Sequence, residues 1–379
     1  MRSVLLKIAC KKVLKLYGGI RMDVKLGILG CGRGLDVTNG IRRRECGFKI
    51  RAVCDKNKER LDAAAKILEG EGREEVLLFS DYEEMLRSDV DAVIIASDVP
   101  MHTHHAIMAL EAGKHVLSEI PTVYSLEEAK RLKACVYAHP ELKYMVAENC
   151  CFWENIVTMK RMYSDGKLGE VVYAEGDYLH CEKTPEECVP YGDPSHWRAN
   201  LSAIRYLTHE LGPLLYILDD EVTRVSCYVP AFDHNKYKSE KCVGIALFQT
   251  KKGAVIRIFI CFGAYVGCDH NYALYGSHGM IQTDKTKELS RAHLFTKLSE
   301  IPESVTDAIE LPVTIAERGG ITDGHGGADA RMLCEFISCI REDGKPLFDV
   351  DFGIKISLPG IIAEESYKNG NAALEIPTV

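Results

Sequence analysis

The sequence predicts an α/β protein in two parts. A doubly wound parallel sheet occupies residues 22–149, and an α+β unit with an antiparallel sheet occupies 150–379. Three observations carry this. Up to about residue 150, apolar runs alternate with helical patterns, the rhythm of strand–helix–strand units whose strands lie parallel. A glycine-rich turn, GCGRG at 30–34, joins the first apolar run to the first helical pattern. Beyond 150, strand-like runs follow one another across short turns, which implies antiparallel pairing. The 379 residues suit two cores better than one.

Taken in order, Val24–Leu29 is the first strand, and a helix carrying Val37 and Ile41 ends near Arg42-Arg43-Arg44, where cations suit the helix dipole. FKIRAVCD (48–55) alternates like a strand and ends in Asp55, and a polar helix runs from Lys58 to Leu68. DAVIIAS (91–97) is continuously apolar, as a strand buried on both faces must be. A helix over 102–113, a strand HVLSE (115–119), a helix opened by the capping box Ser125-Leu-Glu-Glu128 and a strand KYMVAEN (143–149) complete this half. The second half offers strands EVVYAEGDY (170–178), EVTRVSCYV (221–229), KCVGIALFQ (241–249), AVIRIFICF (254–262) and NYALYGSHGMIQTD (271–284). A helical segment near 201–217 interrupts them, and helices over 326–342 and 351–368 close the chain.

A net charge of −8 argues against nucleic acid and anionic membrane as partners, since both require a cationic face. No stretch approaches a membrane span. Residues 1–21 read as a basic helical extension, with Arg2, Lys7, Lys11, Lys12, Lys15 and Arg21. Lys7 cuts its apolar run too early for a secretion signal. The fifteen cysteines are scattered and form no C-x-x-C pair, so no metal site is expected. They read as free thiols in a reducing compartment, the cytoplasm.

The glycine turn lies between a strand and a helix, where Gly30, Gly32 and Gly34 let the backbone approach a pyrophosphate and the helix N-terminus faces the anion. Leu35 stands where the dinucleotide fingerprint has its third, packing glycine, which predicts a looser fit there. Asp55 at the end of the second strand suits ribose hydroxyls and repels a 2′-phosphate, so NAD is expected over NADP. Tyr206 and His209 are spaced to share a helix face, and Tyr178 and His180 to share a strand face. Two such pairs can line one cleft, with a histidine as base near neutral pH. Glu148 ends a parallel strand, where such sheets bind ligands. Trp197 and Arg198 either grip a sugar or pack in the core. His325, among Gly324, Gly326 and Gly327, either meets substrate or lies in a helix cap. His104 and His105 read as surface residues.

SDVPMHTHHAIMALEAGKHVLSEIP (97–121) resembles the signature stretch of the Gfo/Idh/MocA oxidoreductases, with Ser97 and His102 matching and Asp98 replacing a proline. The resemblance spans about 22–379. It implies an N-terminal Rossmann domain that binds NAD, and a C-terminal domain whose open antiparallel sheet often forms oligomers. It adds Arg33, Ser97, His102, Glu119 and Asn149 to Gly30, Gly32, Gly34 and Asp55 as cofactor-binding residues. The family's Glu-Lys-Pro reads Glu119-Ile120-Pro121 here, so the lysine that meets the reacting hydroxyl is missing. AEN (147–149), GDYLH (176–180), HWR (196–198), YLTHELGP (206–213) and GHGGAD (324–329) are similar to the NAD-dependent α-N-acetylgalactosaminidase branch. That likeness implies His209, Tyr206 and Tyr178 as catalytic groups, and Glu148, His180, Trp197, Arg198 and His325 at the substrate. Leu207 replaces that branch's proline, and Arg205 replaces an aspartate of the wider family.

The resulting expectation is an NAD-dependent oxidoreductase, a homo-oligomer, acting on a secondary hydroxyl, C3, of a sugar or glycoside. The alternatives are a redox-neutral glycosidase working through a 3-keto sugar and a non-catalytic NAD-binding sensor.

Overall fold

The computed structural model describes residues 23–38, 46–70, 75–180, 196–231, 242–262, 269–284, 289–294, 309–311 and 324–379. The basic extension 1–21 and the end of the first helix, at Ile41 and Arg42–Arg44, lie outside the described residues.

The first half is a six-stranded parallel sheet in the order β3-β2-β1-β4-β5-β6. Its strands are β1 Val24–Leu29, β2 Phe48–Cys54, β3 Leu77–Phe79, β4 Ala92–Ile95, β5 His115–Ser118 and β6 Tyr144–Val146. The helices between them are α1 Arg33–Asp36, α2 Lys58–Gly70, α3 Tyr82–Leu86, α4 His102–Glu111 and α5 Leu126–Ala138. β4 is buried at all four residues, as its unbroken apolar run requires. Ser125 caps α5 by accepting from the Glu128 N–H, while Glu128 accepts in return from the Tyr124 N–H at 2.7 Å. β3 escapes the sequence reading because it is a three-residue edge strand with two exposed leucines.

The second half is a nine-stranded sheet in the order β14-β13-β12-β11-β7-β10-β9-β8-β15. The central strands are β7 Val171–Leu179, β8 Val222–Tyr228, β9 Val243–Thr250, β10 Val255–Cys261 and β11 Asp269–Gly276. β12 Gly279–Asp284, β13 Leu289–Leu294 and β14 Ile309–Leu311 extend one edge, and β15 Leu374–Glu375 the other. The pairing is mixed, not purely antiparallel as expected, because β7 and β10 run parallel at the centre. The crossover between them carries α7 Thr208–Leu218, which packs on the sheet. The long run 271–284 is a hairpin, β11 turning into β12 at Ser277-His278. The expected helix over 201–217 is two pieces, a 3₁₀ turn Ala203–Tyr206 and then α7. α6 Glu154–Ser164, α8 Gly324–Glu342 and α9 Val350–Lys368 complete the chain.

The two halves are sewn together. Met332, Leu333, Phe336 and Ile337 of α8 share a core with Leu26, Ile28 and Phe48 of the first sheet. Cys46 and Cys334 form a disulfide across this seam, which overturns the expectation of free thiols at those two positions. Cys31, Cys54, Cys135, Cys150, Cys151, Cys227, Cys261 and Cys339 are free. No described helix is long and apolar enough to cross a membrane.

Candidate active site

A cavity of about 750 Å³ opens at the C-terminal ends of β1, β2 and β4, where doubly wound sheets bind ligands. The glycine turn forms one wall. A Cβ on Gly30, whose φ is +94°, would stand 2.2 Å from the Ala96 carbonyl oxygen, so only glycine permits this approach of turn to strand. A Cβ on Gly32 would meet nothing within 4 Å, which leaves the helix N-terminus open to a ligand. A Cβ on Gly34 would lie 2.6 Å from Ile28. Gly34 therefore performs the helix–strand packing assigned to the third fingerprint glycine, and Leu35 is buried rather than a defect. The expected looser fit does not arise.

Asp55 is buried at the cavity's edge, accepting from the Cys31 N–H at 2.9 Å and the Asn57 N–H at 2.8 Å. Each oxygen keeps a second lone pair for a ribose hydroxyl. An open cradle of N–H groups with a fixed carboxylate beside it fits a dinucleotide. Ser97, Glu119 and Ile120 line the cavity, as do His196, Trp197, Arg198 and Tyr206 from the second half. The Arg198 guanidinium sits over the Trp197 ring at 4.5 Å and over Tyr206 at 5.6 Å. Trp197 and Arg198 thus stand at the cofactor cavity, not in a core. His102 is buried, with Nδ1 3.0 Å from the Pro121 carbonyl and Nε2 2.9 Å from that of Ser97, and braces those two loops. His105 is no surface residue. It lines the cavity, meets Ser97 Oγ at 2.8 Å, and burial pushes its pKa down to about 4.

Arg33 lines the cavity but is already paired. It makes two bonds to Asp329, at 2.6 and 2.8 Å, and one to Glu119 at 2.8 Å. Asp329 also accepts from Asn149 Nδ2 at 3.0 Å and lies 3.0 Å from His325 Nδ1. Burial opposes the Asp329 charge, but the Arg33 and His325 bonds outweigh it and hold the carboxyl well below its ordinary range. Arg33, Asn149 and His325 are thereby joined in one ion network between the halves. Asp329, which the sequence reading passed over, is its centre.

The second cluster lies beyond Tyr206. Glu148 is fully buried and caps the turn Asn149–Phe152, and its Oε1 accepts from His209 Nδ1 at 2.7 Å. Burial alone would lower the His209 pKa, but the charge and hydrogen bond of Glu148 raise it overall. Cys150 Sγ lies 3.3 Å from the same Nδ1, and burial pushes its thiol well up, so it stays protonated. These three residues bring their donor atoms within 4.8 Å of one another, which makes them a candidate cation set. The 2.7 Å contact is a hydrogen bond, and the group reads as an acid–imidazole pair with a neutral thiol beside it. Tyr272 Oη donates to the His209 carbonyl at 2.7 Å.

The two Tyr/His pairs are each close, though not on the single elements expected: Tyr206 ends the 3₁₀ turn and His209 lies in α7, while His180 follows the last residue of β7. Ring centroids are 6.1 Å apart for Tyr206 and His209, 5.9 Å for Tyr178 and His180, and 5.7 Å for Tyr178 and His209. His270 stacks on Tyr178 at 4.1 Å and bonds Glu210. Sequence reasoning missed both. His270 stands opposite Tyr178 in the β11–β7 register, and register is not visible in a sequence.

A glycine cradle with a buried carboxylate beside it, at the strand ends of a doubly wound parallel sheet, defines a dinucleotide-binding protein of the Rossmann class. Residues 24–147 match the oxidoreductase family with NAD-binding Rossmann fold, and residues 156–282 match the GFO/IDH/MocA C-terminal domain. The chain belongs to the Gfo/Idh/MocA family of NAD-dependent oxidoreductases. It is 29% identical over 388 residues to a glycosyl hydrolase family 109 protein of Phocaeicola vulgatus, covering 87% of this chain and 78% of that one. A glycosyl hydrolase family 109 protein of Solibacter usitatus is 26% identical over 389 residues, covering 93% and 87%. An oxidoreductase domain protein from Kribbella flavida shares the fold with TM-score 0.80 and 19% identity, covering 94% of this chain and 100% of that one. Levoglucosan dehydrogenase, solved with NADH and levoglucosan, shares it with TM-score 0.78, 18% identity and the same coverage.

Proposed function

We propose that the protein oxidises the C3 hydroxyl of a sugar or glycoside, with His209 as the base. The observation that carries this is the Glu148–His209 pair. Nδ1 is held by a fully buried carboxylate, which leaves Nε2 to take the hydroxyl proton. The imidazolium so formed is balanced by Glu148 at 2.7 Å. Ile120, buried where the family has lysine, has no proton to exchange, so the work falls to His209 with Tyr206 beside it. Gly30, Gly32, Gly34 and Asp55 would hold NAD, with Ser97 and Glu119 along the same cavity. NAD, when bound, supplies the acceptor for the hydrogen on the reacting carbon. Adding a panel of glycosides to the NAD-loaded protein and reading reduced-nicotinamide absorbance tests the reading.

The glycosidase reading is favoured by one further observation. Tyr178 stands against His209, so a second proton-transfer group borders the same space. Once C3 is a carbonyl, the C2–H is acidic. Tyr178 can remove that proton as the C1 substituent leaves; water would then add at C1 with return of the proton to C2, and return of the hydride to C3 from the reduced cofactor would make the overall turnover redox-neutral. The family 109 relatives, named as glycosyl hydrolases, support glycoside cleavage as the outcome. A sensor would have no use for an imidazole backed by a buried charge.

The homo-oligomer reading is supported by exposed Tyr228, Leu247 and Val255 on strands of the second sheet. The face is only partly apolar. Ile256, Ile258, Ile260 and Phe248 point into the core, and Arg257 bonds Glu175 and Asp177 beside those exposed side chains. Free thiols among the described residues, such as Cys31, Cys54 and Cys135, support a reducing, cytoplasmic setting, which the Cys46–Cys334 disulfide opposes.

A further inference from the structure

The site contains two acid–imidazole pairs, and the mechanism above uses one. The second is Glu210–His270, with Nδ1 and Oε1 again 2.7 Å apart. Both glutamates are fully buried, and in each the second carboxyl oxygen has no partner among the described residues. Each is fitted by a glycine. A Cβ on Gly212 would press to 3.1 Å from Glu148 Cγ, and one on Gly176 to 2.7 Å from Glu210 Cβ. Two imidazoles thus flank one phenol. His209 meets the Tyr178 ring edge-on at 87°, and His270 lies parallel to it at 21°, with centroids 4.1 Å apart.

We propose that His270, held by Glu210, is the positioning residue for Tyr178 and fixes the phenol ring against His209. This rests on the reading of Tyr178 as a proton-transfer group. The inference is carried by geometry. Tyr178 and His270 are directly opposed on β7 and β11, so their side chains leave the sheet on one face. Trp153 closes the other side of His270, edge-on at 5.0 Å. The stacked ring is held by one hydrogen bond to the carboxyl of Glu210, a fully buried side chain packed on Gly176.

The two pairs differ in charge. Burial drives the Glu210 carboxyl well above its ordinary range, with Glu148 and Asp177 adding to it. Burial likewise drives His270 well below its range, and His209, His325 and His180 push the same way. The first pair is therefore ionic on taking a proton, and the second stays neutral. A neutral ring orients Tyr178 without competing for the proton His209 receives. An apolar pair would fill the same space without two buried polar groups to satisfy.

The test uses full-length protein labelled with meta-fluorotyrosine, whose Tyr178 resonance is identified by its loss in Tyr178→Phe. His270→Ala and Glu210→Leu should shift and broaden that resonance. Glu210→Gln, which keeps a neutral hydrogen-bonding group, should leave it in place. Nitrophenyl α- and β-glycosides provide the activity arm. His270→Ala should lower kcat for aglycone release by about 10- to 100-fold, the cost of misplacing a reacting group, with KM and NAD affinity unchanged. Tyr178→Phe/His270→Ala should be no slower than Tyr178→Phe alone. A Tyr178 resonance unmoved in both His270→Ala and Glu210→Leu overturns the inference. So does a double variant slowed by the product of the single effects. If the resonance responds while wild type turns over no glycoside, the positioning stands and the functional reading falls.

Discussion

Replacing Glu148 by Gln removes one charge from the site and leaves its shape. Glu148 Oε1 lies 2.7 Å from His209 Nδ1, and the amide can still accept that hydrogen bond. What disappears is the attraction between carboxylate and imidazolium. With about 4 Å between charge centres and an effective dielectric near 20, that attraction is about 4 kcal/mol. At about 1.4 kcal/mol per decade this is roughly a thousandfold, inside the range of about 10²–10⁴ for loss of a general base. The pH dependence carries a second signature. His209 must be neutral to accept a proton, so the rate rises with pH through its pKa, which lies above the ordinary histidine value. Without the Glu148 charge, burial is the dominant cause, with Glu119 still raising and Arg33 still lowering, and that pKa falls. The acid limb should therefore move to lower pH while the plateau falls. The pair also stabilises the fold. Because the folded pKa is raised, that contribution is complete below the unfolded pKa and is lost as pH rises through the folded value. The assay is initial-rate reduction of NAD by a glycoside across pH, with melting curves at the same pH values. An unchanged plateau, or an acid limb that stays in place, would refute the reasoning.

Three further outcomes follow from the same geometry. Asp55→Ala should narrow the preference for NAD(H) over NADP(H) in titrations of cofactor binding, because the carboxylate that repels a 2′-phosphate is gone; equal affinity in the unmutated protein would contradict this. Tyr178→Phe should spare reduction of NAD and block aglycone release, followed by the two absorbances together. Asp329→Asn breaks a buried charge pair with Arg33, at 2.6 and 2.8 Å, and should cost about 3–5 kcal/mol near neutral pH, read from denaturant unfolding. Since the Asp329 pKa is lowered, the gap between wild type and variant should close as pH falls through the folded pKa of Asp329.

The order of strands and helices was legible because the two periodicities differ and the glycine turn marks the first crossover. The parallel β7–β10 pair was not, since strand neighbours separated by α7 share no local signal. Tyr206 with His209 and Tyr178 with His180 could be paired from their spacing, but the approach of Tyr178 to His209 could not, because it depends on how α7 packs on β7. Arg33 could be placed on the glycine turn but not its bonds, because Asp329 is 296 residues away along the chain. Glu210 carries no sequence signal of its burial, and Gly176 against its side chain shows that the fold reserves room for it. His270 depended on register. The Cys46–Cys334 bridge joins residues 288 apart and has no spacing motif to announce it.

The central claim is that the Glu148-backed His209 is the base of an NAD-dependent alcohol oxidation. Its most direct test is single-turnover reduction of bound NAD by a glycoside panel, comparing wild type with His209→Ala at saturating cofactor. The account predicts reduction by wild type, a fall of about 10²–10⁴-fold in the variant, and equal NAD affinity in both. A His209→Ala protein that reduces NAD as fast as wild type would contradict it.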